Sequence, residues 1–489
     1  MSDRQKITKS RLLGGTTWIF LSEMLIMPTG FLTVVFLTRY LGADGYGLFS
    51  LAATIIAWIE WSINSIFSRT TIKFVGETED WRNVATMVLR VQFGCSLVAA
   101  AILAILAPAI AAGLRETQLQ YLLWLYALEI PIFNLAQAHR NILTGLGNFN
   151  SRAVSSSVRW TTRLLFIVCF VQLGLSISGA ILGSLMAMLT ELLVCRCYVR
   201  PSFWYPTSFA VRKLVNYALP LFLSALAIRL CDKLDLIALK AFGGTNEEVG
   251  IYAVAQNLAL LGRAISTAFV PVSIATISRL LGQGETQKIR AFCRIGWRII
   301  LIHLPFAGLA ASSASEIVTL LFGSQFSSAD SLFATLIFAT VATVAISIVN
   351  GILIASEKPQ WTMWLTVPLP AIAFLGYWLL IPRFGAIGSA IVTLVVTSIG
   401  AVAGIVAIYL RWQVLPSVKT LIRSSIVCAL VMKLGTFWQT SGWFVLLKLP
   451  ILGLFVILAL GILGEFKAAD IKLLRSYFFS KFNLRKQNK

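Results

Sequence analysis

Apolar runs of about 20 residues recur from Thr16 to Leu463, each long enough to cross a hydrocarbon core of about 30 Å. No other feature constrains the fold as strongly. In lipid every backbone N–H and C=O must be satisfied internally, and a helix does this within one segment. The runs lack the short alternating strands that would build a membrane barrel. The sequence therefore predicts an all-α polytopic membrane protein of about fourteen transmembrane helices. The spans fall near residues 13–38, 47–67, 86–107, 120–144, 158–174, 179–198, 215–240, 249–271, 294–312, 330–355, 361–381, 385–410, 420–437 and 443–463. Only 12% of the 489 residues are charged, against roughly a quarter in soluble proteins.

The net charge of +21 could suggest a nucleic-acid partner, so its location matters. With the N-terminus inside, the outer loops hold only Arg39, Arg115, Lys240 and Arg383. Arg140, Arg229, Lys233, Arg263, Lys433 and Lys448 fall within spans, and the other lysines and arginines lie on the inner side. This asymmetry encodes orientation and places both termini in the cytoplasm of a cell (inner or plasma) membrane protein. No nucleic-acid partner is expected. The first apolar stretch is longer than a signal-peptide core and runs straight into a second span.

Chemistry is scarce. The cysteines lie in or beside spans without metal-ligand or disulfide spacing. No Gly-x-x-x-x-Gly-Lys-Ser/Thr phosphate loop is present, and His139 and His303 are the only histidines. "GADGYG" from Gly42 reads as a helix–helix turn, and Ser68 to Arg90 as a cytoplasmic elbow. Neither a cofactor nor enzymatic activity is expected.

The chain repeats itself. "FLTVVFLTRYLGADGYGLFSLA" from Phe31 resembles "KLDLIALKAFGGTNEEVGIYAVA" from Lys233, with Gly42 opposite Gly244 and Gly47 opposite Gly250, shifts of 202 and 203. "SGAILGSLMAML" and "FGAIGSAIVTLV" align Gly179 with Gly385, a shift of 206. Six spans separate the copies, so both halves enter the membrane in one orientation, a parallel repeat. The expected organisation is an N-lobe at 1–200, a C-lobe at 201–411, and an added helix pair at 412–489 ending in a basic tail. In that tail Ile471, Leu474, Phe478 and Phe482 oppose Lys472, Arg475 and Lys481, a pattern suited to an anionic leaflet.

Ionisable groups inside spans are costly and usually face a bundle interior or a wet cavity. The acids are Glu23, Glu60, Glu129, Glu191, Asp232 and Asp235; the bases beside them are Arg140, Arg229, Lys233 and Arg263. At about 100° per residue, Arg229, Asp232 and Lys233 share one arc of span seven, with Asp235 one step beyond. Two readings stand: an ion-pair ladder pinning two helices, or a cavity wall that meets an anionic substrate. Glu60 and Arg263 differ by 203, the repeat shift, which predicts equivalent positions in the two halves.

Two six-span halves, "RYLGADGYGLFSLA" after the first span and "RLCDKLDLIALKAFGG" in the seventh together resemble the polysaccharide biosynthesis flippases of the multidrug/oligosaccharidyl-lipid/polysaccharide exporter superfamily. The resemblance covers about residues 10 to 410, and the added helix pair is similar to the lipid II flippase branch. It implies a V-shaped pair of lobes and alternating access. The implied substrate is a polyprenyl-pyrophosphate-linked oligosaccharide, moved between leaflets of a phospholipid membrane. Arg229, Lys233, Arg263, Arg140 and Glu60 are then the cavity residues. Asp232, Asp235, Glu23 and Glu129 are candidates for coupling to H+ or Na+, and a polysaccharide polymerase and glycosyltransferases would be the partners. One departure is that the lipid II branch carries arginines in its first span, where this chain has Glu23 and no base before Arg39. A lipid II flippase, a cation-coupled drug antiporter and a membrane ligase remain alternatives. An acidic drug pocket would mark the antiporter, and a large outer loop with catalytic Arg or His the ligase.

Overall fold

The computed structural model describes residues 22, 25–78, 80–205, 233–356 and 359–465. Among the described residues there is no strand. The helices are α1 (Ile26–Glu77), α2 (Trp81–Gly113), α3 (Thr117–Ala127), α4 (Glu129–Gly145), α5 (Phe149–Phe170) and α6 (Ser176–Tyr198). Then come α7 (233–241), α8 (Asn246–Leu260), α9 (Ala264–Gly282), α10 (Thr286–Ser312), α11 (Ala314–Phe322) and α12 (Ala329–Ala355). The last four are α13 (Pro359–Thr366), α14 (Pro368–Trp412), α15 (Val418–Phe437) and α16 (Val445–Ile462).

Among the described residues, nine helical tracts are long and apolar enough to cross a membrane, so the chain is a multi-pass helical membrane protein. Three of them, Ile26–Glu77, Phe149–Tyr198 and Gln360–Trp412, each hold two of the spans read from sequence. Where the sequence suggests a turn and a short loop after the first span, helix runs on both sides of a single break at Gly42 (φ 70°, ψ −176°). That backbone region is essentially reserved to glycine. Comparable breaks stand at Gly174 and Gly385. The elbow read at 68–90 is also shorter than expected, because α1 continues to Glu77 and α2 begins at Trp81.

The chain divides into two compact units, Met1–Asn257 with Thr366–Val392 and Leu258–Leu365 with Thr393–Lys489. In the first, Leu48, Leu51 and Ile56 of α1 are buried with Leu89 of α2, Leu119 and Leu123 of α3 and Ile130 of α4. Outward-facing Val98, Ile102 and Ile105 of α2 are exposed, as a lipid-facing surface requires. Helices α5 and α6 close tightly at Gly183, where an added Cβ would stand 2.6 Å from the backbone N of Ile167. Small residues at such crossings are how membrane helices approach closely. The repeat-related glycines also meet within this unit. A Cβ on Gly47 would stand 1.9 Å from the Asn246 carbonyl oxygen, and one on Gly250 2.0 Å from that of Ala43.

In the second unit, α10 and the last two helices share a core of Leu309, Val427, Val431, Leu452, Val456 and Leu460. Lys448 of α16 is completely buried and donates to Glu316 Oε1 (2.5 Å) and to the Gly435 carbonyl (2.8 Å).

Candidate functional site

Four helices of the first unit carry ionisable groups into its interior. Glu60 lies on the second part of α1, Glu129 opens α4, Arg140 follows on α4, Arg159 and Arg163 lie on α5, and Glu191 on α6. The break before Glu129 has a local cause: Pro131 lacks an N–H and its ring excludes the Ala127 carbonyl, so α3 ends there. Glu129 is thereby placed in the first turn of α4, where the helix dipole favours a carboxylate. On α5, Ser151, Ser155, Arg159 and Arg163 recur every fourth residue and form one polar face. Close α5–α6 packing at Gly183 sets Ser184 and Glu191 opposite the two arginines.

Glu191 is the hub. Its side chain is fully buried and lies 3.4 Å from Arg140 Nη1 through Oε1 and 3.6 Å from Arg159 Nε through Oε2. The first contact is a hydrogen-bonded ion pair; the second is an ion pair too long for a hydrogen bond. Arg159 also stacks over Phe133 and Trp160, at 5.3 and 5.1 Å from the ring centres, which supports a desolvated guanidinium. Arg163 donates to Ser184 Oγ (3.2 Å) and lies over Trp160. Glu60 and Glu129 are buried, repel each other, and both feel the positive charge of Arg159 and Arg163. Glu60 Oε1 and Glu129 Oε2 have no hydrogen-bond partner among the described residues. Three arginines thus offset three acids, an arrangement that is near neutral yet not saturated with hydrogen bonds.

A second polar group joins α7 to α8. Asp235 accepts from Tyr252 Oη (2.8 Å), Gln256 Nε2 (2.7 Å) and the backbone N–H of Leu236 (2.8 Å). Lys233 donates to Gln256 Oε1, so one glutamine links the two charged residues. Nearby, Lys240 donates to Asn246 Oδ1 (2.6 Å), and Asn246 donates to Glu116 Oε2 (2.7 Å). Thr245 and Glu248 form a reciprocal capping box at the start of α8, with both bonds at 3.1 Å.

Of the residues expected from sequence, the structure brings Glu60 and Glu129 to one locus with Arg140, and joins Lys233 to Asp235 through Gln256. Arg229, Asp232 and Glu23 lie outside the described residues. Arg263 belongs to the second unit, in a 3-10 turn between α8 and α9. Gly262 lets that turn approach α10 and α12; a Cβ there would stand 3.4 Å from His303 Nε2 and 3.1 Å from Thr340 Cγ2. Sequence reading missed Arg159 and Arg163, which fall at the inner end of span five where orientation-setting cations are expected. Their four-residue spacing from Ser151 and Ser155 was the available signal.

The sequence profile of the family described as polysaccharide biosynthesis protein matches residues 12–281. The chain is 24% identical over 402 residues to the Probable flippase AglR of Haloferax volcanii, covering 80% of this chain and 82% of that protein. In fold it is similar to the lipid II flippase MurJ in an inward-closed conformation (TM-score 0.75, 12% identity, 96% of this chain and 99% of that one). It is also similar to an inward-facing multidrug resistance MATE transporter of the MOP superfamily (TM-score 0.63, 16% identity, 84% and 96%). With this profile match and this fold, the chain belongs to the polysaccharide biosynthesis protein family of flippase-type membrane transporters.

Proposed function

We propose that the chain is a flippase for a polyprenyl-pyrophosphate-linked oligosaccharide, the repeat unit of a surface polysaccharide. It carries this lipid from the inner to the outer leaflet of the cell membrane by alternating access of two lobes, 1–200 and 201–411. Residues 412–489 form an appended helix pair and tail, and both termini lie in the cytoplasm. The protein translocates without making or breaking bonds.

The observation that carries this reading is the buried ionic locus of Arg140, Arg159, Arg163, Glu60, Glu129 and Glu191. A pyrophosphate entering a membrane loses water, and guanidinium groups replace that hydration with bidentate, charge-assisted hydrogen bonds. Glu191 holds two of the arginines. The arriving pyrophosphate competes with that carboxylate for the same donors. Glu60, Glu129 and Glu191 are candidates for the uptake of H+ or Na+ that couples transport to a cation gradient. Asp235, Asp232 and Glu23 are further candidates for this coupling, and Lys233, Arg229 and Arg263 for phosphate contact. Since the sequence has no nucleotide-hydrolysing motif, the drive is a cation gradient or consumption of the product by a polymerase or glycosyltransferase.

Export of polysaccharide by cells that depend on this chain tests the reading. Arg159→Ala and Arg163→Ala should each abolish export while the protein still inserts and accumulates, and Arg→Lys should restore it only partly, because an ammonium lacks the bidentate fork. If Arg159 serves only to neutralise Glu191, the double variant Arg159→Ala, Glu191→Gln, which keeps an amide oxygen for Arg140, should recover export. Recovery would remove Arg159 from substrate contact.

A further inference from the structure

The second unit contains a separate basic cavity of about 600 Å3, lined by Arg294, Arg298, Lys419, Thr420, Arg423 and Glu465 among others. Arg294 and Arg298 lie one turn apart on α10, Lys419 and Arg423 on the first two turns of α15, and Glu465 just beyond α16. Glu465 is nearly fully buried and is shared among its neighbours. It accepts from Arg298 Nε (3.0 Å), Arg423 Nη1 (3.2 Å) and Thr420 Oγ1 (2.9 Å). Arg294 and Lys419 make no ion pair among the described residues. Among the described residues lining the cavity, four cations therefore accompany one carboxylate. The N-terminus of α15, capped by Ser417, adds further positive potential.

Two features point to the class of ligand. The volume lies in the range of about 300–1,000 Å3 that accommodates a whole molecular group rather than a bare ion. The wall is also amphipathic: Ile295, Leu301 and Leu415 line the cavity beside the cations. Next to the lining residues Lys419 and Arg423, Ile422, Ile426 and Leu430 run along α15 at four-residue spacing, all exposed on a helix long and apolar enough to cross the membrane. By the orientation read from sequence, this end of α15 meets the inner leaflet, where anionic lipids concentrate.

We infer that this cavity binds the phosphate headgroup of an anionic membrane lipid, whose acyl chains lie along Ile422, Ile426 and Leu430. Arg294 and Lys419 supply the uncompensated charge, while Glu465 holds Arg298 and Arg423 in place. The bound lipid spans α10 and α15 and stabilises the docking of the last two helices. This site is independent of the ionic locus of the first unit.

Native mass spectrometry of the full chain in detergent tests the assignment, with phosphatidylglycerol and phosphatidylcholine of identical acyl chains. The wild type should retain phosphatidylglycerol roughly tenfold better. The double variant Arg294→Gln, Lys419→Gln, which leaves the Glu465 bonds intact, should lose that preference. Lys288→Gln, an exposed charge at the start of the same helix, should keep it. An unchanged preference in the double variant overturns the site, as does equal loss in Lys288→Gln, which would mark a general charge effect. Binding of soluble glycerol 3-phosphate as tightly as the lipid would reassign the cavity to a water-soluble phosphate compound and overturn the lipid assignment.

Discussion

Replacing Gly250 by Ala puts a methyl group into the crossing of α8 and α1. Its Cβ would stand 2.0 Å from the Ala43 carbonyl oxygen and 2.9 Å from the carbonyl carbon. Carbon–oxygen contacts between close helices settle at about 3.3–3.6 Å, so the backbones must part by more than an ångström. The Cβ position is fixed by the backbone and the atoms it meets are main chain, so no rotamer change can relieve the clash. Overpacking of this kind costs about 1–3 kcal/mol, equivalent to a roughly 5- to 150-fold population shift toward any conformation in which the helices separate. If 1–200 and 201–411 are the moving lobes, as proposed, such a separation accompanies their alternation. A cysteine at Ala43, buried beside the crossing, reports on it in a background whose native cysteines are replaced. Its labelling rate by a membrane-impermeant maleimide should rise within that range in Gly250→Ala. Gly30→Ala, a helical position with nothing within 4 Å of the added Cβ, should leave it unchanged. Equal labelling in Gly250→Ala and wild type would refute the claim that this glycine pair holds α1 and α8 in contact.

Further outcomes are expected elsewhere. Glu316→Ala leaves the fully buried Lys448 without its carboxylate and should cost about 3–5 kcal/mol, seen as a lower thermal midpoint in detergent. The pair Glu316→Leu, Lys448→Met should recover most of that loss, and failure to recover would assign the effect to packing alone. If Asp235 carries a coupling proton, Asp235→Asn should remove the pH dependence of transport while substrate binding remains; retained dependence would limit Asp235 to holding Tyr252 and Gln256. Cysteines at Thr245 and Gln325 should label from outside and one at Gln283 only from inside; outside labelling of Gln283 would overturn the orientation.

Much of the fold was legible because lipid imposes a length and a polarity on each span. Gly47 and Gly250, aligned in the sequence, proved to be contact partners. The break at Gly42 was read as a turn and loop and the one at Gly385 as a span start after a short loop, since turn residues look alike whether a helix ends or only kinks. The charge locus was half legible. Glu60, Glu129 and Arg140 stand out as ions inside apolar runs, whereas Arg159 and Arg163 sit where orientation-setting cations also belong. Only the depth of Arg159 and its pairing with Glu191 separate it from that class, and both depend on how α5 meets α6. The bonds of Lys233 and Asp235 to Gln256 were hidden for a similar reason: neutral Gln256 carries no sign of being a hub.

On the proposed function, the arginine-rich locus moves a pyrophosphate-linked glycolipid across the bilayer. Reconstituting the full chain in proteoliposomes with a polyprenyl-pyrophosphate oligosaccharide, fluorescent on its sugar, and following bleaching by an impermeant reductant tests it most directly. Inner-leaflet sugar should become reachable with wild-type protein but not with Arg163→Ala, and a polyprenyl oligosaccharide lacking pyrophosphate should stay in place. Movement of lipid II alone, equal movement of the lipid without pyrophosphate, or full activity in Arg163→Ala would contradict it.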